Sequence, residues 1–220
     1  MMNLHPQTGL MVTSLMLWLT LFVVGQLGTS HILTPSEDGR KVCASLARLR
    51  VVYQQPVFIQ VQGGKVLSLK YHSLKAVPFH FFPSSHDFAP VMMLRYKSTT
   101  PRSGDYVSLA SRDGRRWICT RPWTEHPATG TKHTNVVPHL TVQFVKQEDM
   151  QSLSKSSGSL CSCLFLRRSF LQHHGMAFES AAFPGWYLSH SSSIPAELVH
   201  LDNPSTHPSA IFELKVSSSQ

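Results

Sequence analysis

The chain has 220 residues, 42% hydrophobic and 15% charged, so it can bury a core and is not an intrinsically disordered chain. Twenty Lys and Arg against 12 Asp and Glu give a formal net charge of +8 with the histidines neutral. Such a surplus either keeps a globular protein soluble or draws it to a polyanion. Four cysteines are too few for a scaffold built on disulfides.

The first element is apolar. Leu10 to Val24 reads LMVTSLMLWLTLFVV without a charge, shorter than the about 20 residues that span a bilayer. Small residues Gly28 and Ser30 precede His31, which suits signal-peptidase cleavage between Ser30 and His31 and a secreted, extracellular product. Residues 1–9 hold only His5 and the terminal amine as positive charge, so a retained membrane anchor is the alternative. The expected organisation is a signal peptide over 1–30, a linker or pro-segment containing Arg40 and Lys41 over 31–46, a folded domain over 47–217 and a tail over 218–220.

Beyond residue 40 the apolar residues recur with period two. Val57, Ile59 and Val61 alternate with Phe58 and Gln60. Leu140, Val142 and Phe144 alternate with Thr141 and Gln143, and Phe212, Leu214 and Val216 with Glu213 and Lys215. Turn signals separate the runs: Gln62-Gly63-Gly64-Lys65, and Asp113-Gly114 before Arg115-Arg116-Trp117. Short strands are expected at 48–53, 57–62, 65–71, 77–82, 105–111, 115–120, 139–145, 163–168, 176–181, 185–190, 196–201 and 210–216. One turn of helix is expected within Gln147–Ser154, and irregular connections over 83–103, 121–138 and 146–162. The class is all-β, a sandwich or a barrel. Twelve strands also divide into three groups of four, as a threefold trefoil barrel requires.

Catalytic motifs are missing. The 13 histidines show no HExxH or other zinc spacing, and there is no G-x-S-x-G, P-loop or G-x-G-x-x-G. Cys161-Ser-Cys163 has no second pair at a zinc spacing, so neither metal nor cofactor is expected, and the pairing of Cys43, Cys119, Cys161 and Cys163 stays open. Arg112, Arg115, Arg116 and Arg121 gather around Trp117, with Arg167-Arg168 as a second pair. They read as a solvated hairpin edge or as a patch for a heparin-like glycosaminoglycan. No aromatic stacking platform interleaves them, which argues against nucleic acid. In FESAAFPGWYLS, Phe178 and Ser180 belong to one strand and Trp186 and Leu188 to the next, with Pro184-Gly185 making a structural corner.

That segment resembles the signature of the interleukin-1 cytokine family: Phe-x-Ser-Ala, two residues, Pro, two residues, an aromatic or aliphatic, Leu or Ile, a small residue and Thr. Phe178, Ser180, Ala181, Pro184, Tyr187, Leu188 and Ser189 match, and His190 stands where the family has Thr or Ser. Pro56–Leu69 resembles the family's second and third strands. Trp117-Ile118-Cys119 resembles its sixth, Pro138–Met150 its seventh with a turn of helix, and Ala210–Val216 its closing strand. The resemblance covers residues 46–217. It implies a β-trefoil that works as a monomer by binding, without catalysis, the ectodomain of an interleukin-1-type receptor built of immunoglobulin-like domains. An agonist also engages an accessory chain, and an antagonist does not. The ESAAFPGW stretch is similar to the receptor antagonist and interleukin-36 branches. Ile211 matches neither the Asp that family agonists carry before the last-strand Phe nor the Lys of the antagonist. Within the trefoil, Phe178, Ser180, Pro184, Gly185 and Trp186 are expected to be structural, with Trp186 a buried core aromatic. A glycosaminoglycan-binding trefoil module without receptor signalling is the alternative function.

Overall fold

The computed structural model describes residues 49–70, 72–79, 90–98, 105–124, 136–153, 158–170, 175–191 and 195–217. Ser30, His31, Cys43 and the expected signal and linker segments lie outside the described residues.

Six strands pair antiparallel around a closed circuit. They are β1 (Leu49–Val61), β4 (Val91–Ser98), β5 (Asp105–Ala110), β8 (Phe165–Phe170), β9 (Gly175–Ser180) and β12 (Glu213–Val216). β1 pairs with β4, β4 with β5, β5 with β8 and β8 with β9. The Met176–Phe212 bridge joins β9 to the chain entering β12, and β12 returns to β1 through Ile59 opposite Leu214. Closure removes the exposed edges that an open sheet of this size would carry. The other six strands make three hairpins: β2 (Lys65–Lys70) with β3 (Ser73–Pro78), β6 (Arg116–Thr124) with β7 (Val136–Phe144), and β10 (Trp186–Ser189) with β11 (Glu197–His200). Each successive set of four strands thus supplies two barrel strands and one hairpin. This is a β-trefoil.

Several expected strand positions are corrected. The strand expected at 77–82 is β3, over Ser73–Pro78, where Val77 and Pro78 complete the ladder with Val66 and Lys65, and β6 and β7 pair on into the stretch 121–138 expected to be irregular. The expected pair 48–53 and 57–62 is one strand, β1. The gap at 54–56 belongs to the ladder: Gln55 and Pro56 lie opposite Met93 and Met92, and the carbonyl of Pro56 accepts from Ser217 N at 3.1 Å. β4 was assigned to the irregular stretch 83–103. Its sequence, VMMLRYKS, packs on both faces: Val91, Met93, Leu94 and Tyr96 are all buried, which blurs the alternation. The count of twelve therefore agreed by compensation. α1 (Gln147–Gln151) is the expected turn of helix, and it plants Met150 in the core.

The interior has two main clusters. One packs Val57, Ile59, Met93, Leu109, Phe165, Phe178, Leu188 and Phe212 within the barrel and against the hairpins. The other surrounds Trp117, Tyr96 and Met150. Tyr96 is fully buried and its hydroxyl donates to the Met150 carbonyl at 2.9 Å. Since that proton is used, the Ser108 hydroxyl, also at 2.9 Å, donates to Tyr96. Burial raises the Tyr96 phenol well above its ordinary range.

Candidate functional site

The corner between β9 and β10 is built from buried polar groups. Gly185 has φ of +81°, a left-handed conformation suited to glycine, and a Cβ there would stand 3.1 Å from His200 Nε2. Its N–H donates to Glu179 Oε1 at 2.9 Å. The other carboxylate oxygen receives Arg168 through Nε at 2.9 Å and Nη2 at 2.8 Å. Glu179 itself is only 7% exposed. The Ser180 hydroxyl accepts from Phe183 N and lies 3.2 Å from Thr120 Oγ1, which in turn donates to the Ser162 carbonyl. With the threonine proton used there, Ser180 is the donor to Thr120. Backbone bonds from Ala181 to Leu164, Trp186 to Phe183 and Leu201 to Gly185 complete the corner.

The signature residues accordingly divide by role. Phe178 and Leu188 are fully buried, Ala181 nearly so, Ser180 and Gly185 organise the turn, and Pro184 is exposed. The expectation of a core Trp186 is corrected: it is half-buried, with its ring edge-on to His200 at 5.5 Å. Trp117 is the fully buried tryptophan, its Nε1 donating to the Val145 carbonyl at 3.1 Å. Glu179 was missed from sequence. A carboxylate between Phe178 and Ser180, one hairpin from an arginine pair, was the available sign.

The four-arginine cluster does not assemble. Arg112, Arg115 and Arg116 stand at the β5–β6 turn, while Arg121 lies opposite His139, five residues along β6, roughly 16 Å away at ~3.3 Å per residue. An odd spacing also puts Arg116 and Arg121 on opposite faces of the strand. Nor do the arginines ring Trp117, which has no exposed surface. The turn itself is pinned by Asp113, which accepts from the Ser111 hydroxyl and from Arg115 N at 3.2 Å. The Ser111 hydrogen bond, then the Arg115 amide and the neighbouring arginines, hold the Asp113 carboxyl below its ordinary range. Arg167 and Arg168 are not a free basic pair. Arg168 is tied to Glu179, and Arg167 shares Asp105 with Arg95, whose Nε is 2.6 Å from Oδ1. The guanidinium of Arg95 also lies over the Tyr53 ring at 5.7 Å, so this row crosses β1, β4, β5 and β8 on the barrel.

Cys119 in β6 is disulfide-bonded to Cys163, and Cys161 is disulfide-bonded as well. A cavity of about 60 Å³ lies among Leu74, Ile118, Leu140, Val142, Ala196 and His72, contributed by all three hairpins or their flanks. It has room for a few waters and is far below the several hundred Å³ of an ordinary small-molecule site.

No family model matches the chain, and no curated protein matches it in sequence. Solved structures do match in fold. The crystal structure of chicken cytokine interleukin 1 beta superposes with a TM-score of 0.54 at 19% identity, over 76% of this chain and 99% of that one. A chicken interleukin-1 hydrophobic cavity mutant gives 0.53 at 20% identity with the same coverage. The class is therefore the β-trefoil, and within it the chain has the interleukin-1 cytokine fold.

Proposed function

We propose that the chain is a secreted cytokine of the interleukin-1 type, which acts as a monomer by binding a receptor ectodomain of immunoglobulin-like domains. The observation that carries the reading is the coincidence of the trefoil with the signature corner: Phe178, Ser180, Ala181 and Leu188 occupy buried positions around one hairpin turn. A further feature supports it. The Cys119–Cys163 disulfide suits an oxidising, extracellular setting, in keeping with cleavage of residues 1–30 after Ser30. Binding by shape and charge complementarity then recruits, or fails to recruit, the accessory chain.

The test is a reporter assay in cells carrying individual interleukin-1-type receptors. The secreted product either raises the reporter in a dose-dependent manner, as an agonist, or blocks a known agonist, as an antagonist. A folded sample that does neither on every receptor overturns the reading.

A further inference from the structure

We propose that the surface around Phe144, at the end of the β6–β7 hairpin, is a binding site for a sulfated polysaccharide. Phe144 is 71% exposed, the largest exposure among the large hydrophobic side chains of the described residues. Three separate stretches of chain bring basic side chains to it. Arg116 is its direct cross-strand partner, and such side chains share one face with Cβ atoms about 5 Å apart. The Arg115 carbonyl accepts from Val145 N at 3.3 Å, which fixes the backbone of exposed Arg115 opposite the residue that precedes exposed Lys146. His72, between β2 and β3, places its ring 6.5 Å from that of Phe144. Arg112 projects from the same turn as Arg115 and is exposed.

An exposed aromatic set among cations matches the two faces of a sulfated sugar. The apolar face of the ring covers Phe144, and the sulfates receive the planar guanidinium donors, bidentate where geometry allows. Asp113 lies within the turn and, ionised beside Arg115 and Arg116, offsets one of the positive charges there while holding the turn through the Ser111 hydroxyl and the Arg115 amide. Glu148 and Asp149, which follow Lys146 on α1, bound the positive surface on that side. Arg121, on the opposite face of β6, is excluded, and Lys146 and His72 take its place. The site is independent of the receptor reading.

The test uses the full secreted chain on immobilised heparin and, in parallel, on a sulfonate cation exchanger of plain charge. Elution from heparin is expected at higher salt than from the exchanger, and above the about 0.15 M of physiological ionic strength. Arg115→Glu and Arg121→Glu make the same change in net charge at exposed positions. The first is expected to lower heparin elution strongly and to cut the slope of log affinity on log salt by at least about one. The second is expected to move heparin and exchanger elution equally and slightly. Phe144→Ser is expected to weaken heparin binding without changing exchanger elution. Equal elution from the two columns overturns the proposal, as does an Arg121→Glu effect as large as that of Arg115→Glu. Undiminished retention on desulfated heparin, or competition by single-stranded DNA equal to that by a heparin oligosaccharide, overturns it as well.

Discussion

The β9–β10 corner and the β5–β6 turn use the same chemistry at different depths. In each, a serine hydroxyl and a carboxylate hold backbone N–H groups of a reversing chain: Ser180 and Glu179 in the corner, Ser111 and Asp113 in the turn. The corner does so with 1% and 7% exposure, the turn with an exposed carboxylate. Buried, an unmade hydrogen bond costs its full desolvation penalty, whereas in solvent water replaces the lost partner. The corner is thus part of what specifies the fold, and the turn is free to vary.

Substitutions of falling severity test that contrast. Phe178→Ala removes a fully buried ring that packs on Phe212 at 5.5 Å between centroids, and is expected to cost about 3–5 kcal/mol in denaturant unfolding. Trp186→Ala, half-buried, is expected to cost less than Phe178→Ala in the same measurement. Glu179→Gln removes the charge that serves both Gly185 N–H and Arg168. A loss of about 1.5–3 kcal/mol is expected, together with faster hydrogen exchange at the Gly185 amide. Asp113→Asn, in water, is expected to cost less than about 1 kcal/mol. If Glu179→Gln and Asp113→Asn cost the same, depth is not what separates the two turns.

Acid sharpens the same distinction. His190 lies between Ser209 and the core ring of Phe212, and both its ring nitrogens are buried without a hydrogen-bond partner among the described residues. Burial first, then the charge of Lys65, depresses its pKa below the ordinary 6.5. The unfolded chain therefore takes up this proton first, and stability falls as pH drops from about 6.5 to the folded pKa, then levels. His190→Gln is expected to flatten that segment of the melting-temperature profile. The Asp113 contribution has a different window. It is present above the unfolded value of about 3.9 and is lost as pH falls through the lower folded value. Asp113→Asn should lower stability slightly and evenly above that window and flatten the profile only at the acid end.

Much of the fold was legible because the trefoil's strands are half-covered. Val57, Ile59 and Val61 face the core while their neighbours do not, and alternation reveals them. β4 was hidden for the opposite reason, since Met93 and Leu94 are adjacent and both fully buried. The single long strand β1 was expected as two, and Pro56 sits inside it where the strand changes partners from β4 to β12 at Val57. The corner was legible as a turn through Pro184-Gly185, but not its latch: the use of Glu179 depends on Arg168 arriving from the neighbouring strand. The arginine run was legible as charge and misleading as a site, because sequence proximity along β6 spreads residues over two faces. His72, distant in sequence, is what the fold brings to Phe144, where Lys146 follows two residues on.

The central claim is recognition of an immunoglobulin-domain receptor by this trefoil. Biolayer interferometry of the folded, N-terminally sequenced product against a panel of interleukin-1-type receptor ectodomains tests it most directly. Saturable binding to one ectodomain with a Kd below about 1 μM, or about −8 kcal/mol, is the predicted result. Absence of binding to every ectodomain, from a sample with a cooperative unfolding transition, would contradict it.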